Sequence, residues 1–373
     1  MNNGNELSLL TKKLNEHLTG RSKPVAEAIA QIEHTGSLLD DYLAPVTSLQ
    51  FRRDGERVAL HLRDGYGGVT YAGANPIVDA FRLHDHAQGQ IADKLGVPPN
   101  YLKNLMAGKD WQKNLSIDIM NTHGANIARE RVLVRTVEGE VRGFLSDKYR
   151  RLNSMEIFVA FLMAAQAANN VLVDAHSGET KGFLEVINPN IIEFDTPLNG
   201  RNYAVIGARI RNSDFGDGAL EVYQFLMMVR CMNGVVGNSM LKEFHLGGRI
   251  PDNIAISEDT YKKDTIAKAA LVTDIMKSLY APDNTTAMIE RIQGASAIPV
   301  DLVKEVERLP KLGLTLGESE AVGKVLMENN PENGLEGSAT LWKLVQGLTS
   351  VARDSKPERK RELELIAGNM LVK

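Results

Sequence analysis

The sequence predicts an α+β fold: a central antiparallel sheet built from two strand–helix units, an N-terminal hairpin and a helical C-terminal region. Three observations carry that prediction. Apolar and polar residues alternate, with the period of a half-buried strand, in paired runs around turns such as Asp54-Gly55 and Glu138-Gly139-Glu140. Helical three-to-four spacing governs Leu7 to Leu39 and everything beyond Glu258. Strands and helices are also segregated along the chain, which separates α+β from a parallel α/β sheet.

In chain order, the polar helix Leu7 to Leu39 comes first. Ser48 to Arg53 and Arg57 to Leu62 then form a hairpin around Asp54-Gly55, and Gly65 to Gly73 reads as a Gly-rich turn with a short strand. Phe81 to Met106 is helical. His84 or Asp85 starts the first helix and Gly96 ends it. Pro98-Pro99 opens a second, where a missing N–H costs nothing, and Trp111 to Met120 reads as another.

The hairpin Arg131 to Val137 and Val141 to Leu145 precedes a helix capped at Asn153-Ser154 and running to about Ala168. A second hairpin, Val171 to Ala175 with Gly182 to Ile187, is followed by the strand Asn202 to Ile210. The turn-rich Asn212 to Gly218 then leads into an expected helix from Ala219 to Cys231. Prolines 282, 299, 310 and 331 punctuate the helical tail. The segments are therefore 1–47, 48–125, 126–257 and 258–373.

Composition narrows the function. With 373 residues, 43% of them hydrophobic and 24% charged, the chain can bury an ordinary core. A net charge of -4 excludes a uniformly basic coat, so phosphate binding needs a local basic surface. One cysteine, Cys231, precludes an internal disulfide and fits a reducing compartment. Its apolar surroundings read as those of a buried small side chain rather than a reactive thiol. Met1 to Thr11 lacks a signal-peptide core, and no apolar run approaches the about 20 residues that span a bilayer. The expectation is a cytoplasmic protein with no membrane partner.

Several motifs fail. Gly317 and Gly323-Lys324 stand one residue too far apart for a Walker loop, and Val325 replaces the hydroxyl. Gly65, Gly67 and Gly68 miss the dinucleotide fingerprint because Thr70 takes the third glycine position. His84-Asp85-His86 and the set Asp214, Asp217 and Glu221 read better as helix-start and turn chemistry than as metal ligands. No cofactor is implied.

Two features survive. In Gln90 to Leu105, Ala92 precedes Gly96 by four positions. Leu95, Val97, Leu102 and Leu105 fall where the helices of a helix-turn-helix touch, leaving Asn100, Lys103 and Asn104 outward. The second feature is a basic hairpin with its flank: Arg129, Arg131, Arg135, Arg142, Lys148, Arg150 and Arg151, interleaved with Phe144 and Tyr149. Arg131, Leu133 and Arg135 share one strand face, and Val132 and Val134 take the core side. Arg209, Arg211 and Arg230 extend the pattern, with Lys181, Arg201, Tyr203 and Phe215 nearby. Cations among aromatics suit a single-strand groove, where charge follows phosphates and rings stack on bases. A solvated sheet face with ordinary ion pairs fits equally well.

The stretch Phe144 to Leu152 resembles the LSDxYxxL element of a phage/plasmid-like protein family catalogued as a domain of unknown function. Asn212 to Gly218 resembles its NSxxGxG element and Arg230 to Gly234 its RCxNG element. His245-Leu246-Gly247, Leu95 to Leu102 and Leu363 to Met370 are similar to further parts of it. The resemblance covers Phe81 to the C-terminus and implies mobile-element origin without an activity. A weaker, architectural similarity is to phage single-strand annealing proteins of the RecT and Redβ kind. The leading expectation is thus a non-catalytic, homo-oligomeric protein that binds single-stranded DNA and promotes annealing and recombination. Its affinity would fall with salt at a slope of roughly -0.7 per contacted phosphate. The rivals are a helix-turn-helix reader of duplex DNA or replication accessory, a metal-dependent enzyme using Asp214, Asp217, Glu221 and His245, and a structural protein.

Overall fold

The computed structural model describes residues 3–62, 70–72, 80–127, 130–245, 257–330 and 335–371. Helix α1 (Asn3–Ser37) is followed by β1 (Leu39–Pro45), the hairpin β2 (Leu49–Asp54) and β3 (Arg57–Leu62), β4 (Thr70–Ala72) and β5 (Ala80–Leu83). Three helices follow: α2 (Asp85–Lys94), α3 (Pro99–Ala107) and α4 (Asp110–Asn126). The hairpin β6 (Arg131–Val137) and β7 (Glu140–Ser146) leads to α5 (Ser154–Ala167). Then come β8 (Val171–Ser177), β9 (Gly182–Ile187), β10 (Ile192–Thr196), β11 (Gly200–Asn212), β12 (Leu220–Met228) and β13 (Asn233–Glu243). The tail is α6 (Glu258–Leu279), α7 (Pro282–Ala297), α8 (Leu302–Arg308), α9 (Leu316–Glu328), α10 (Leu341–Arg353) and α11 (Pro357–Met370). The fold is mixed, with helices and strands segregated as expected.

The strands divide between two sheets rather than sharing one. The first runs β2-β3-β5-β7-β6-β1-β4, and the second runs β13-β12-β11-β9-β8 with β10 on β11. The basic hairpin β6–β7 therefore belongs with the N-terminal hairpin, not with the second strand–helix unit. Pairing is antiparallel except between β5 and β7, where Arg82 lies beside Glu140. Strand β1, which the pattern of alternation misses, sits between β6 and β4. Its acids disguise it: Asp40 accepts from the Tyr71 hydroxyl at 3.0 Å and Asp41 from Arg135 at 2.7 Å. Of the Gly-rich turn Gly65 to Gly73, only the short strand β4 lies within the described residues.

The expected helix from Ala219 to Cys231 is instead strand β12. Every residue from Leu220 to Met228 is buried. Leu220 and Val222 meet α5 and α6, Leu226 and Met228 meet the C-terminal helices, and Tyr223, Phe225 and Met227 meet α1. A strand covered on both faces is apolar throughout, so it loses the alternation that marks a strand. The C-terminal helices pack on this second sheet. The first sheet packs against α2, α3 and α4 through Phe51, Leu60, Phe81, Ile91, Leu102 and Met120. Among the described residues no helix is long and apolar enough to cross a membrane.

Helix α11 approaches β13 closely at Gly368, where a Cβ would collide with the Val236 carbonyl oxygen. Backbone cannot yield as a flexible side-chain end does. The variant Gly368→Ala is expected to lose about 1–3 kcal/mol of stability, the range of overpacked cores, in a urea melt.

Candidate nucleic-acid interface

Burial decides what the central arginines can do. Strand β6 is covered on both faces. Val132 and Val134 face the first core, while Leu133 packs with Leu145 and Tyr149 on the other side. Arg135 lies on that second face and is fully buried. Its Nε donates to Asp41 Oδ1 at 2.7 Å, Nη1 to the Asp214 carbonyl at 2.7 Å and Nη2 to Asn153 Oδ1 at 2.6 Å. Burial would lower its pKa, but Asp41 and Asp214 outweigh that and hold it above the ordinary value. Arg151 is also buried, 3.5 Å from Asp41 Oδ2 and over the Tyr261 ring.

Arg209 is buried as well. It donates to Glu185 at 2.8 Å and to Glu364 of α11 at 2.5 Å, and its guanidinium lies over Phe225. Arg135 and Arg209 cannot contact a phosphate without leaving the core, which corrects their expected role, and Arg151 borders a cavity of about 610 Å³ that Asp41, Glu156 and Lys262 also line. The rest are engaged nearer the surface. Arg150 grips Asp264 through two bonds, at 2.8 and 2.5 Å, and also meets Glu243. Arg211 and Lys242 flank Glu221 across β11, β12 and β13. Arg230 joins Glu6 and Glu336, each at 2.6 Å, and so ties α1 to the β12–β13 turn. Arg142 sits near Glu140 and donates to the Glu179 carbonyl at 3.3 Å. Arg131 reaches the Leu43 carbonyl at 3.4 Å, and Lys148 is half-buried. Arg129 lies outside the described residues.

The expected stacking rings are also core. Phe144 belongs to the first core, and Tyr149 donates its hydroxyl to the Ser213 carbonyl at 3.1 Å. Tyr149 stacks on His245, with ring centroids 5.0 Å apart. His245 Nδ1 donates to the Arg150 carbonyl at 2.9 Å, and Nε2 lies 2.9 Å from Asn212 Oδ1. Asn212 Nδ2 donates to the Leu152 carbonyl at 2.6 Å, and Asp214 Oδ1 accepts from the Ser154 amide at 2.7 Å, capping α5. Burial pushes the Asp214 carboxyl above its usual range, against the pull of Arg135 and of the Ser154 amide. The LSDxYxxL and NSxxGxG elements and His245 therefore meet in one buried polar cluster that fastens the two sheets together. Asp214, Asp217, Glu221 and His245 do not converge. Among the described residues no three His, Cys, Asp or Glu side chains group as metal ligands.

The helix pair keeps its outward face. Ile91, Ala92, Leu95, Val97, Leu102 and Leu105 are all buried in one seam. Gly96 takes a positive φ of 68° at the turn, a conformation that glycine adopts without strain. The Val97 amide donates to the Ala92 carbonyl at 2.9 Å, and His123 of α4 donates to the Leu95 carbonyl at 2.8 Å. On α3, Asn100, Tyr101, Asn104 and Ala107 form an exposed stripe with Lys103 at its edge. Helix α2 is fixed to the buried cluster. His86 Nε2 and Gln90 Nε2 donate to the Phe215 carbonyl at 3.0 and 2.8 Å, and the Phe144 amide donates to Gln90 Oε1 at 2.7 Å.

Sequence reading missed Trp111, which is 62% exposed, although Trp342 is only 1% exposed. The signal was present: Trp111, Asn114, Asp118 and Thr122 repeat at helical spacing along the exposed side of α4. Compared with family models, curated proteins and solved structures, the chain matches none of the three.

Two outcomes follow from the buried cluster and its neighbourhood. Arg135→Met leaves Asp41 with only the longer 3.5 Å contact to Arg151, and denaturant unfolding should show a loss of about 3–5 kcal/mol, as when one partner of a buried pair is removed. Burial pushes the Cys231 thiol up to about 11. Iodoacetamide at pH 8 should therefore label Cys231 only after unfolding.

Proposed function

We propose that this chain is a DNA-binding protein, of the mobile-element kind its signatures resemble, that docks on duplex DNA through α2 and α3. One observation carries the reading: a helix–turn–helix with a complete buried seam, Gly96 in the turn, and an outward amide stripe on its second helix. An α-helix fits the major groove of B-form DNA, and asparagine pairs bidentately with adenine there. Asn100 and Asn104 supply that chemistry, and Lys103 supplies a phosphate contact.

Single-strand annealing, the reading drawn from the basic hairpin, loses its footing because Arg135, Arg151 and Arg209 are committed to buried carboxylates. Our reading keeps nucleic acid as the partner and takes the helices as its surface. Readers of this type commonly pair on two-fold sites, so two copies per site is the expected arrangement, in the cytoplasm.

The test is selection from random duplexes, followed by binding across salt. Asn100→Ala or Asn104→Ala should each cost about 1–3 kcal/mol of discrimination at one base position. Lys103→Ala should weaken all sequences alike and reduce the salt slope by about 0.9. Failure to retain any duplex at low salt would sink the proposal.

A further inference from the structure

The α3–α4 corner holds a surface that groove reading leaves unused. Helix α3 ends at Ala107, and after Gly108 and Lys109 helix α4 begins, so Trp111 follows Ala107 by four residues. Four residues reach at most about 14 Å. The indole therefore lies within a few base-pair steps of the end of α3. Tryptophan is highly buried on average and is enriched among the anchor residues of binding surfaces.

The corner is rigid. The Lys109 amide donates to Gln112 Oε1 at 2.9 Å, and Asn121 of α4 brackets Phe51 of β2 through two 2.9 Å bonds. Arg53 of β2 meets Asp110 at 3.2 Å, and Lys113 meets Glu56 at 3.3 Å, so the tip of the β2–β3 hairpin is held against the start of α4. Charge favours an anion here. Over the hairpin tip, α3 and α4, the cations Arg52, Arg53, Arg57, Lys103, Lys109 and Lys113 outnumber the acids Asp54, Glu56, Asp110 and Asp118 by six to four. Among the described residues, neither Lys103 nor Lys109 makes an ion pair. This local excess stands out in a chain whose net charge is -4.

A large exposed ring two residues along the chain from an exposed lysine without an ion pair suits a base stacked on the ring with its phosphate on the lysine. A base inside a continuous duplex presents no free face, so the ring needs an unstacked one. We infer that Trp111 and Lys109 bind an unpaired base that continues from the duplex held by α3, so that the chain prefers DNA with a single-stranded tail to a blunt duplex. This inference rests on the groove reading of α3 and adds to it the kind of end recognised.

The experiment uses the full chain and three probes: a blunt duplex carrying the selected sequence, the same duplex with a five-nucleotide tail, and the tail alone. Tryptophan emission is followed with iodide present. Buried Trp342 is shielded from iodide, so the accessible signal belongs to Trp111. The expected result is binding of the tailed duplex between about fivefold and a hundredfold tighter than of the blunt one, the range for one stacked base. Loss of iodide quenching should accompany it. Trp111→Ala, at an exposed position, should lower tailed-duplex affinity to the blunt value and leave the blunt value unchanged. Trp111→Phe should retain part of the preference. Equal affinities for the two duplexes, unaltered by Trp111→Ala, would overturn the inference and leave the groove reading standing. Retention of neither duplex would overturn both, whatever the tail alone does.

Discussion

A guanidinium buried without water must place its donors on protein acceptors, because each one left over costs as much as a lost hydrogen bond or more. Arg135 meets that demand with acceptors from three directions. Asp41 comes from β1, Asn153 from the start of α5, the Asp214 carbonyl from the turn between β11 and β12, and Arg135 itself from β6. No two of these acceptors come from one element, so the bonds form together only when both sheets and α5 are in place. The interaction that closes the fold thus specifies the relation of its parts more than it stabilises any of them. Buried ion pairs are weak sources of net stability, but they are expensive to break from one side.

That constraint also explains why the basic hairpin presents so little of its charge to solvent. A basic, aromatic-laced hairpin becomes an internal joint once a second sheet covers its outer face. Arg151 shares Asp41 with Arg135, Arg209 is held between Glu185 and Glu364, and Arg150 is held between Asp264 and Glu243. Carboxylates from elements distant in sequence neutralise each of them. Lys103 and Lys109 on the helical corner have no such partners among the described residues. Counting charge along the chain cannot separate these cases. The distinction lies in which cations the fold has supplied with a carboxylate, and that is a matter of tertiary contact.

Legibility followed the same line. The β2–β3 hairpin announced itself by alternation with one exposed face, β6–β7 by the arginines that alternate with its apolar residues although both faces are covered, and the C-terminal helices by their spacing and the prolines between them. Strand β12 did not, because burial on both faces erases the period of two. Strand β1 did not either, because Asp40 and Asp41 look like solvent-facing acids until Tyr71 and Arg135 are placed beside them. The helix-turn-helix was readable because its seam is local: the interval from Ile91 to Leu105 contains both packing partners and the Gly96 turn. The site was half legible. Asn100, Lys103 and Asn104 came from that local pattern, whereas the burial of Arg135 and Arg209 depended on Asp41, Glu185 and Glu364, far away in sequence. Trp111 was legible as an apolar residue on a polar stripe and passed unremarked among helix residues.

The helix pair and the buried cluster are one mechanical object. Gln90 spans them, donating to the Phe215 carbonyl and accepting from the Phe144 amide, while His86 adds a second bond to the same carbonyl. Phe215 is the next residue after Asp214, whose carbonyl Arg135 holds. Helix α2 is therefore fixed to the turn that joins the sheets, and α4 is fixed by Asn121 to β2 and by His123 to the turn before α3. A reading helix gains affinity when its orientation is set before binding, because less ordering is left to oppose the contact. The residues of the cluster bear on the helix pair without touching its exposed face: Tyr149, Asn212, Asp214 and Arg135 hold the turn to which α2 is bonded. A cluster buried between the sheets can thereby determine how an exposed helix on the far side of the first sheet is presented.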